Sequence, residues 1–319
     1  DNCEIDGNSI TGPPVGLQGG YTTMGPSGGI SSSNSDNAII SNNVMDVSSY
    51  GISATNSNGI TIEYNHATHF WGTGIDFNNS ANSIIRYNRL IGGEYSSQGI
   101  YNGASNQNAV VSNNYIQISA AGYYAHDRSI FGLIVHDSVI EEDTLLVTNS
   151  GHDQDTGGIL ADRSTIRGNV VNVNDSNSGW NKYGRAIQSY GDENNRTSIE
   201  NNTVITGSKT YGIIATYADI LNNTVYGGGN DKSIIVGQTY HHGNGNYFNT
   251  VGGDAVISGN NIYGMVHGIY SDNADIQVLN NTIETTSGWA IKVIGEDGSS
   301  IIKYNLLETT SGRGFEVEE

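Results

Sequence analysis

Apolar residues in this chain come in short runs that return at fixed offsets from an asparagine. In Ile199-Glu200-Asn201-Asn202-Thr203-Val204 the pattern reads apolar, two variable residues, asparagine, one variable residue, apolar. It occurs twelve times, with the asparagine position at Asn8, Asn43, Asn65, Asn88, Asn114, Asp143, Asn169, Asn202, Asn223, Asn260, Asn281 and Asn305. Asp143 alone departs from asparagine, and it keeps the shape and polarity of the amide. A second phrase, a small residue followed by an apolar one, falls once in each interval, as in Gly51-Ile52, Gly74-Ile75, Gly99-Ile100, Gly132-Leu133, Gly158-Ile159, Ala186-Ile187 and Gly212-Ile213. Successive asparagines are mostly 21 to 29 residues apart, and a period of that size predicts a solenoid.

The runs decide which solenoid. They are short, rich in Ile and Val, and end in Asn, Gly or Ser, as in Ala38-Ile39-Ile40 and Ala109-Val110-Val111. That is strand chemistry between turns, and no stretch sustains the spacing of an amphipathic helix. A turn of about 22 residues holding two or three short strands wraps into stacked parallel sheets, each coil touching only its neighbours. The expected fold is therefore all-β, a single-stranded right-handed parallel β-helix of about twelve coils. The asparagine suits the bend between strands, because it tolerates left-handed backbone and hydrogen-bonds locally. Stacked amides of this kind also bond to one another in a ladder.

Composition fits that reading. Three prolines and 43 glycines suit many tight turns. The repeat runs from Asn8 to Phe315 without a linker, so residues 1–319 read as one domain, expected to be a fragment of a larger secreted or surface protein. A formal charge of −19 argues against nucleic acid as a partner. No apolar run approaches the ~20 residues of a membrane-spanning helix, so no membrane insertion is expected. Cys3 is the single cysteine and has no intrachain partner for a disulfide.

Departures from the period locate the chemistry. From the asparagine to the apolar residue of the next small–apolar phrase is usually 9 to 12 residues, but after Asn114, Asp143 and Asn169 it is 19, 16 and 18. Three consecutive coils thus swell at one corner, and stacking sets the added loops side by side as the wall of a groove. The first loop carries Tyr123, Tyr124, His126, Asp127 and Arg128; the second His152, Asp153, Gln154 and Asp155; the third Asp175, Trp180, Asn181, Lys182, Tyr183 and Arg185. Seven of the thirteen Lys and Arg residues lie between Arg128 and Lys209, in a strongly acidic chain. Three residues beyond the apolar residue of each phrase, His136, Asp162 and Tyr190 fall in one column, on rungs expected to be ~5 Å apart. Asp127, Asp137 and Asp175 are equally readable as turn residues, and Arg163 and Arg167 as surface partners of Glu141 or Glu142. His69 and His241-His242 lie apart from the cluster with no third ligand near in sequence, so no metal centre is expected there.

A long groove dotted with aromatic, amide and carboxylate groups suits an extended sugar polymer. The Ile-x-x-Asn-Asn-x-Val turn with its Gly-Ile phrases resembles the repeat of right-handed parallel β-helix carbohydrate-active proteins: polysaccharide lyases, polygalacturonase-type hydrolases, mannuronan epimerases and phage tailspikes. The Asn- and Tyr-rich, cation-poor texture also resembles methanogen cell-surface proteins including disaggregatase. The resemblance implies an extracellular or cell-surface protein acting on an acidic or neutral polysaccharide, and it admits a homotrimer.

Two reactions fit the cluster. Hydrolysis, placed first, needs two carboxylates flanking the glycosidic bond, and Asp153, Asp155 and Asp162 are the candidates. β-Elimination needs a uronate carboxylate neutralised by Arg128, Lys182 or Arg185, with His136, His152 or Tyr190 as base or acid. Tyr124, His126, Asp127, Trp180, Tyr183, Tyr190, Lys209 and Tyr217 are the expected sugar contacts. Lyases of this resemblance often use Ca2+, which Asp-rich corners are suited to hold. The alternative outside catalysis is a carbohydrate-binding or envelope rod.

Overall fold

Each asparagine pattern folds as two short strands around a bend, and each small–apolar phrase as a third. For the coil of Asn202 these are Thr197–Glu200, Thr203–Thr206 and Thr210–Thr216. In the computed structural model the coils stack into three sheets of twelve parallel strands, and among the described residues there is no helix. The described residues are 3–12, 28–93, 98–103, 108–120, 130–150, 156–176, 184–228, 232–237, 253–272, 274–295 and 300–318, with the backbone alone of 17–18, 21–22, 240–241 and 247–248. This is the expected parallel β-helix, with the right-handed crossover that twisted strands favour. Coils are numbered here from 1, containing Asn8, to 12, containing Asn305. Two antiparallel pairs, Leu17–Gln18 with Tyr21–Thr22 and Tyr240–His241 with Tyr247–Phe248, fall in the long intervals between Asn8 and Asn43 and between Asn223 and Asn260.

The interior is a set of columns, one apolar residue per strand per coil. Ile140, Ile166, Ile199 and Ile220 form part of the first, Leu145, Val171, Val204 and Val225 of the second, and Leu133, Ile159, Ile187 and Ile213 of the third. All are fully buried, each contributing about 1.5–3 kcal/mol of hydrophobic stabilisation. The small residue before the third column has a packing cause. A Cβ at Gly158 would strike Val171 Cγ1 and the carbonyl oxygen of Ala186, and one at Gly99 would strike Ile116 Cγ2 and the Gly132 carbonyl. Here two successive residues turn inward, and the first has room for at most a small side chain such as that of Ala186.

The expected amide ladder is present. Asn202 Nδ2 donates to Asn223 Oδ1 at 2.9 Å and to the Ile166 carbonyl at 2.9 Å, while the Asn202 amide N–H also donates to Asn223 Oδ1. The left-handed residue, however, is the one before the ladder asparagine. Gly7, Asn42, Tyr64, Tyr87, Asn113, Glu142, Gly168, Asn201, Asn222, Gly259, Asn280 and Tyr304 all have φ between 54° and 69°. This explains why Asn-Asn pairs recur: the first residue bends the chain and the second bonds the stack.

Glu142 carries that bend at φ 58° without an amide or a missing Cβ to ease it. Left-handed backbone costs a residue with a Cβ ~1–2 kcal/mol, partly offset by the greater chain entropy of glycine. Glu142→Gly is therefore expected to stabilise the protein by about 1 kcal/mol, read as a higher urea midpoint. An unchanged or lower midpoint would mean that the bend stores no strain.

Candidate functional site

Because the small residue and its apolar successor both turn inward, the residues on either side of that pair face outward from the third sheet. On one side Thr73, Gln98, Phe131, Gly157, Arg185 and Tyr211 are register partners, and on the other Asp76, Tyr101, Ile134, Leu160, Gln188 and Ile214. The long loops connect stacked strands of the second and third sheets. Their last strand residues before departure, Ala120, Asn149 and Asp175, are in register, as are Ile130 with Thr156 and Gly157 with Arg185 at the return. The three loops leave and rejoin the rod at stacked positions. Loop residues 121–129, 151–155 and 177–183 lie outside the described residues. With them lie Tyr123, Tyr124, His126, Asp127, Arg128, His152, Asp153, Gln154, Asp155, Trp180, Asn181, Lys182 and Tyr183.

Across the outer face at coils 5 to 7 runs a connected polar chain. Arg185 Nη1 donates to Gln188 Oε1 at 2.7 Å, and Gln188 Nε2 donates to the Tyr190 hydroxyl at 2.8 Å. The Tyr190 amide N–H donates to Asp162 Oδ1 at 3.0 Å. Asp162 Oδ2 lies 3.3 Å from His136 Nδ1, which also accepts from the Asp162 amide at 3.2 Å. The predicted column of His136, Asp162 and Tyr190 is thus real, and each rung is tied to the next by side chain to backbone. Sequence reasoning missed Gln188. The outward column one residue past each inward apolar position would have found it.

Local backbone fixes the dyad. Ser138 Oγ donates to the His136 carbonyl at 2.7 Å, and Ser164 Oγ to the Asp162 carbonyl at 2.8 Å. The Ser138 amide in turn donates to Ser164 Oγ at 3.1 Å, a short serine ladder at this corner. The residues directly after the dyad, Asp137 and Arg163, are both left-handed at φ 50° and 49°. They lock together through Arg163 Nε to Asp137 Oδ1 at 2.7 Å and Nη2 to Oδ2 at 2.9 Å. Arg163 therefore pairs with Asp137, one coil below, and with neither Glu141 nor Glu142. Arg167 does meet Glu141, at 2.7 Å. Strained backbone held by a paired neighbour is what keeps a site rigid.

The chemistry of this arrangement is acid–base. His136 and Asp162 side chains are 16% and 25% exposed, close to the surface yet partly shielded. Because Nδ1 accepts from the Asp162 amide, the neutral imidazole carries its proton on Nε2 and presents it as a donor. The Tyr190 oxygen accepts from Gln188 Nε2, which fixes its position on the outer face. Arg185 is 3% exposed and engaged with Gln188, so it orients Gln188 and does not stand as a surface cation for a sugar carboxylate. That depth corrects the role expected from its sequence position. Lys209 and Tyr217 are half-buried at opposite edges of the third sheet. The carbonyl of Lys209 accepts from Gly184, and that of Tyr217 from Thr197. Asp175 is buried at the root of its loop, where its amide donates to Thr210 Oγ1. Among the described residues no three His, Cys, Asp or Glu side chains gather as a metal site. Asp162 alone at the dyad offers no oxygen cage of the kind Ca2+ takes.

A family model described as a right-handed β-helix region matches residues 1–140. No curated protein matches the chain. Among solved structures, the A-module of mannuronan C-5 epimerase from Azotobacter vinelandii is 11% identical, over 89% of this chain and 84% of that one, with a TM-score of 0.39. Endo-xylogalacturonan hydrolase from Aspergillus tubingensis is 12% identical, over 97% and 85%, with a TM-score of 0.32.

Proposed function

We propose that the protein cleaves glycosidic bonds in an extracellular or cell-envelope polysaccharide, with the outer face of the third sheet as its track. The observation that carries this reading is the continuous hydrogen-bonded chain from Arg185 through Gln188, Tyr190 and Asp162 to His136. It holds an oriented phenol and an oriented imidazole on rungs two coils apart, about 10 Å, on strands whose long loops leave and return at stacked positions.

That arrangement favours β-elimination over hydrolysis. Tyr190, as the phenolate, takes the proton from C5 of a uronate, the C4–O4 bond breaks, and the Tyr190 hydroxyl so formed gives that proton to the departing O4, while His136 Nε2–H donates a hydrogen bond to the substrate. The electron pair of the C5–H bond becomes the C4=C5 double bond. Arg128 and Lys182, on the flanking loops, are assigned to neutralise the uronate carboxylate, which makes C5 acidic enough to lose its proton. Hydrolysis remains the second reading on a specific ground: Asp162 is a partly exposed carboxylate, and the loop that precedes its strand carries Asp153 and Asp155 in sequence. The test is incubation with uronate-containing and neutral polysaccharides. Reducing ends together with ultraviolet-absorbing unsaturated ends are expected. Reducing ends alone would transfer the reaction to hydrolysis, and neither on any polymer would leave a binding rod.

A further inference from the structure

The outer face of the third sheet carries a second polar group below the dyad, at coils 3 and 4. Gln98 and Tyr101, on the strand Gln98–Asn102, are in register with Thr73 and Asp76, on the strand Thr73–Asp76. Thr73 Oγ1 donates to Gln98 Oε1 at 3.2 Å, which leaves the Gln98 NH2 as a donor. A Cβ at Gly103 would fall 2.4 Å from the Tyr101 hydroxyl oxygen and 2.9 Å from Cζ. The phenol therefore leans along its own strand, over the space that Gly103 leaves open. Asn102 pairs with Val135, which sets Gly103 in the column of His136, one coil or ~5 Å below it. The Tyr101 hydroxyl thus continues the polar surface of the dyad down the rod.

Asp76 is the acidic member of the group. Its Oδ1 accepts from the Asn78 amide at 3.1 Å. Burial pushes its carboxyl up, opposed by that one bond. Among the described residues no cation pairs with it. The group therefore offers an amide donor, a phenol hydroxyl and a carboxylate acceptor, with no positive charge among the described residues. Such a set matches the neighbouring hydroxyls of a neutral sugar, which both donate and accept. It opposes a uronate at the same place, because the sugar carboxylate would meet Asp76 as a like charge.

We propose that Asp76, Gln98 and Tyr101 form a neutral-sugar subsite, three to four coils from Tyr190 along the rod. At the spacing of stacked strands that is about 15–20 Å, the reach of a short oligosaccharide. The inference rests on the reading of this face as a polysaccharide track and adds the substrate class. The polymer is a mixed one, in which the uronate at the cleaved bond has a residue without a carboxylate a few positions away. Selection works by repelling the wrong residue as well as by bonding the right one.

The test is calorimetric binding to the full chain carrying Tyr190→Phe, which limits turnover. The probes are synthetic hexamers of galacturonate and of mannuronate, each beside a counterpart with the carboxyls of alternate residues reduced to alcohols. One register of an alternating hexamer places an alcohol at Asp76. An alternating hexamer is expected to bind at least about tenfold more tightly than its fully acidic parent. Asp76→Asn keeps an oxygen for the Asn78 amide, and it should narrow that difference to within about threefold by improving the acidic hexamer. Added salt should narrow it as well. Equal or tighter binding of the acidic parents, an undiminished difference in a folded Asp76→Asn protein, or no binding of either alternating hexamer overturns the subsite. Cleavage by the unsubstituted protein, scored separately on acidic and mixed polymers, reports on the catalytic reading alone. Absent cleavage with the binding difference intact would overturn that reading and leave the subsite standing. Were Asp76→Asn to misfold, the comparison of alternating with acidic hexamers at low and high salt would still decide.

Discussion

Asp143→Asn is expected to stabilise the protein at pH 8 and to change it little at pH 4. Asp143 occupies the one ladder position that lacks an amide. Its Oδ1 accepts from the Asn114 amide at 2.6 Å and from Asn114 Nδ2 at 2.9 Å, and its own amide donates to Asn169 Oδ1. Its Oδ2 is buried with no hydrogen-bond partner. It sits where every neighbouring asparagine has a donating NH2, so the ladder surrounds it with acceptors. Burial pushes the carboxyl up to about 7, opposed by the two Asn114 hydrogen bonds and aided by the charge of Glu141.

The sign follows from linkage. Below pH 4 both folded and unfolded chains carry the proton. Between pH 4 and 7 the unfolded chain releases it while the folded chain keeps it, so stability falls as pH rises and levels off above 7. A shift of about three units corresponds to ~4 kcal/mol. The asparagine variant removes that slope and restores the missing donor. Urea midpoints of both proteins at pH 4, 5.5 and 8 are the measurement. Parallel profiles would show that Asp143 does not hold a proton in the fold.

The second large effect concerns chemistry. Asp162→Asn and Tyr190→Phe should each lower kcat by about 10²–10⁴ while leaving the thermal midpoint within a few degrees. Asparagine keeps the Oδ1 that accepts from the Tyr190 amide, so the corner survives, but the substitution removes the charge that orients His136. Phenylalanine loses only the hydroxyl that Gln188 meets. The two losses differ in kind. Tyr190→Phe removes the group that moves the proton and should lower the rate on every substrate, whereas Asp162→Asn loosens the hydrogen bond from His136 and should raise KM as well as lower kcat. Full activity in both variants would put the reaction centre elsewhere on the rod.

The sequence determined the solenoid, the number of coils and the stacking register, because each coil repeats one local rule. An apolar residue must face inward at each strand, and a one-residue slip would expose it. The same register made the His136, Asp162 and Tyr190 column legible before any coordinates. The sequence did not show which asparagine of each pair bends the chain, since both tolerate the left-handed region and only φ separates them. Nor did it show that Arg185 is buried against Gln188, or that Arg163 turns to Asp137. Those partners lie three residues along one strand and a whole coil away respectively. Which of several nearby charges a long side chain meets is set by the stacking of coils, not by the text of any one of them. The outward group of coils 3 and 4 was hidden for a related reason. Asp76 and Tyr101 are 25 residues apart in the chain, and only the parallel pairing of their strands makes them neighbours.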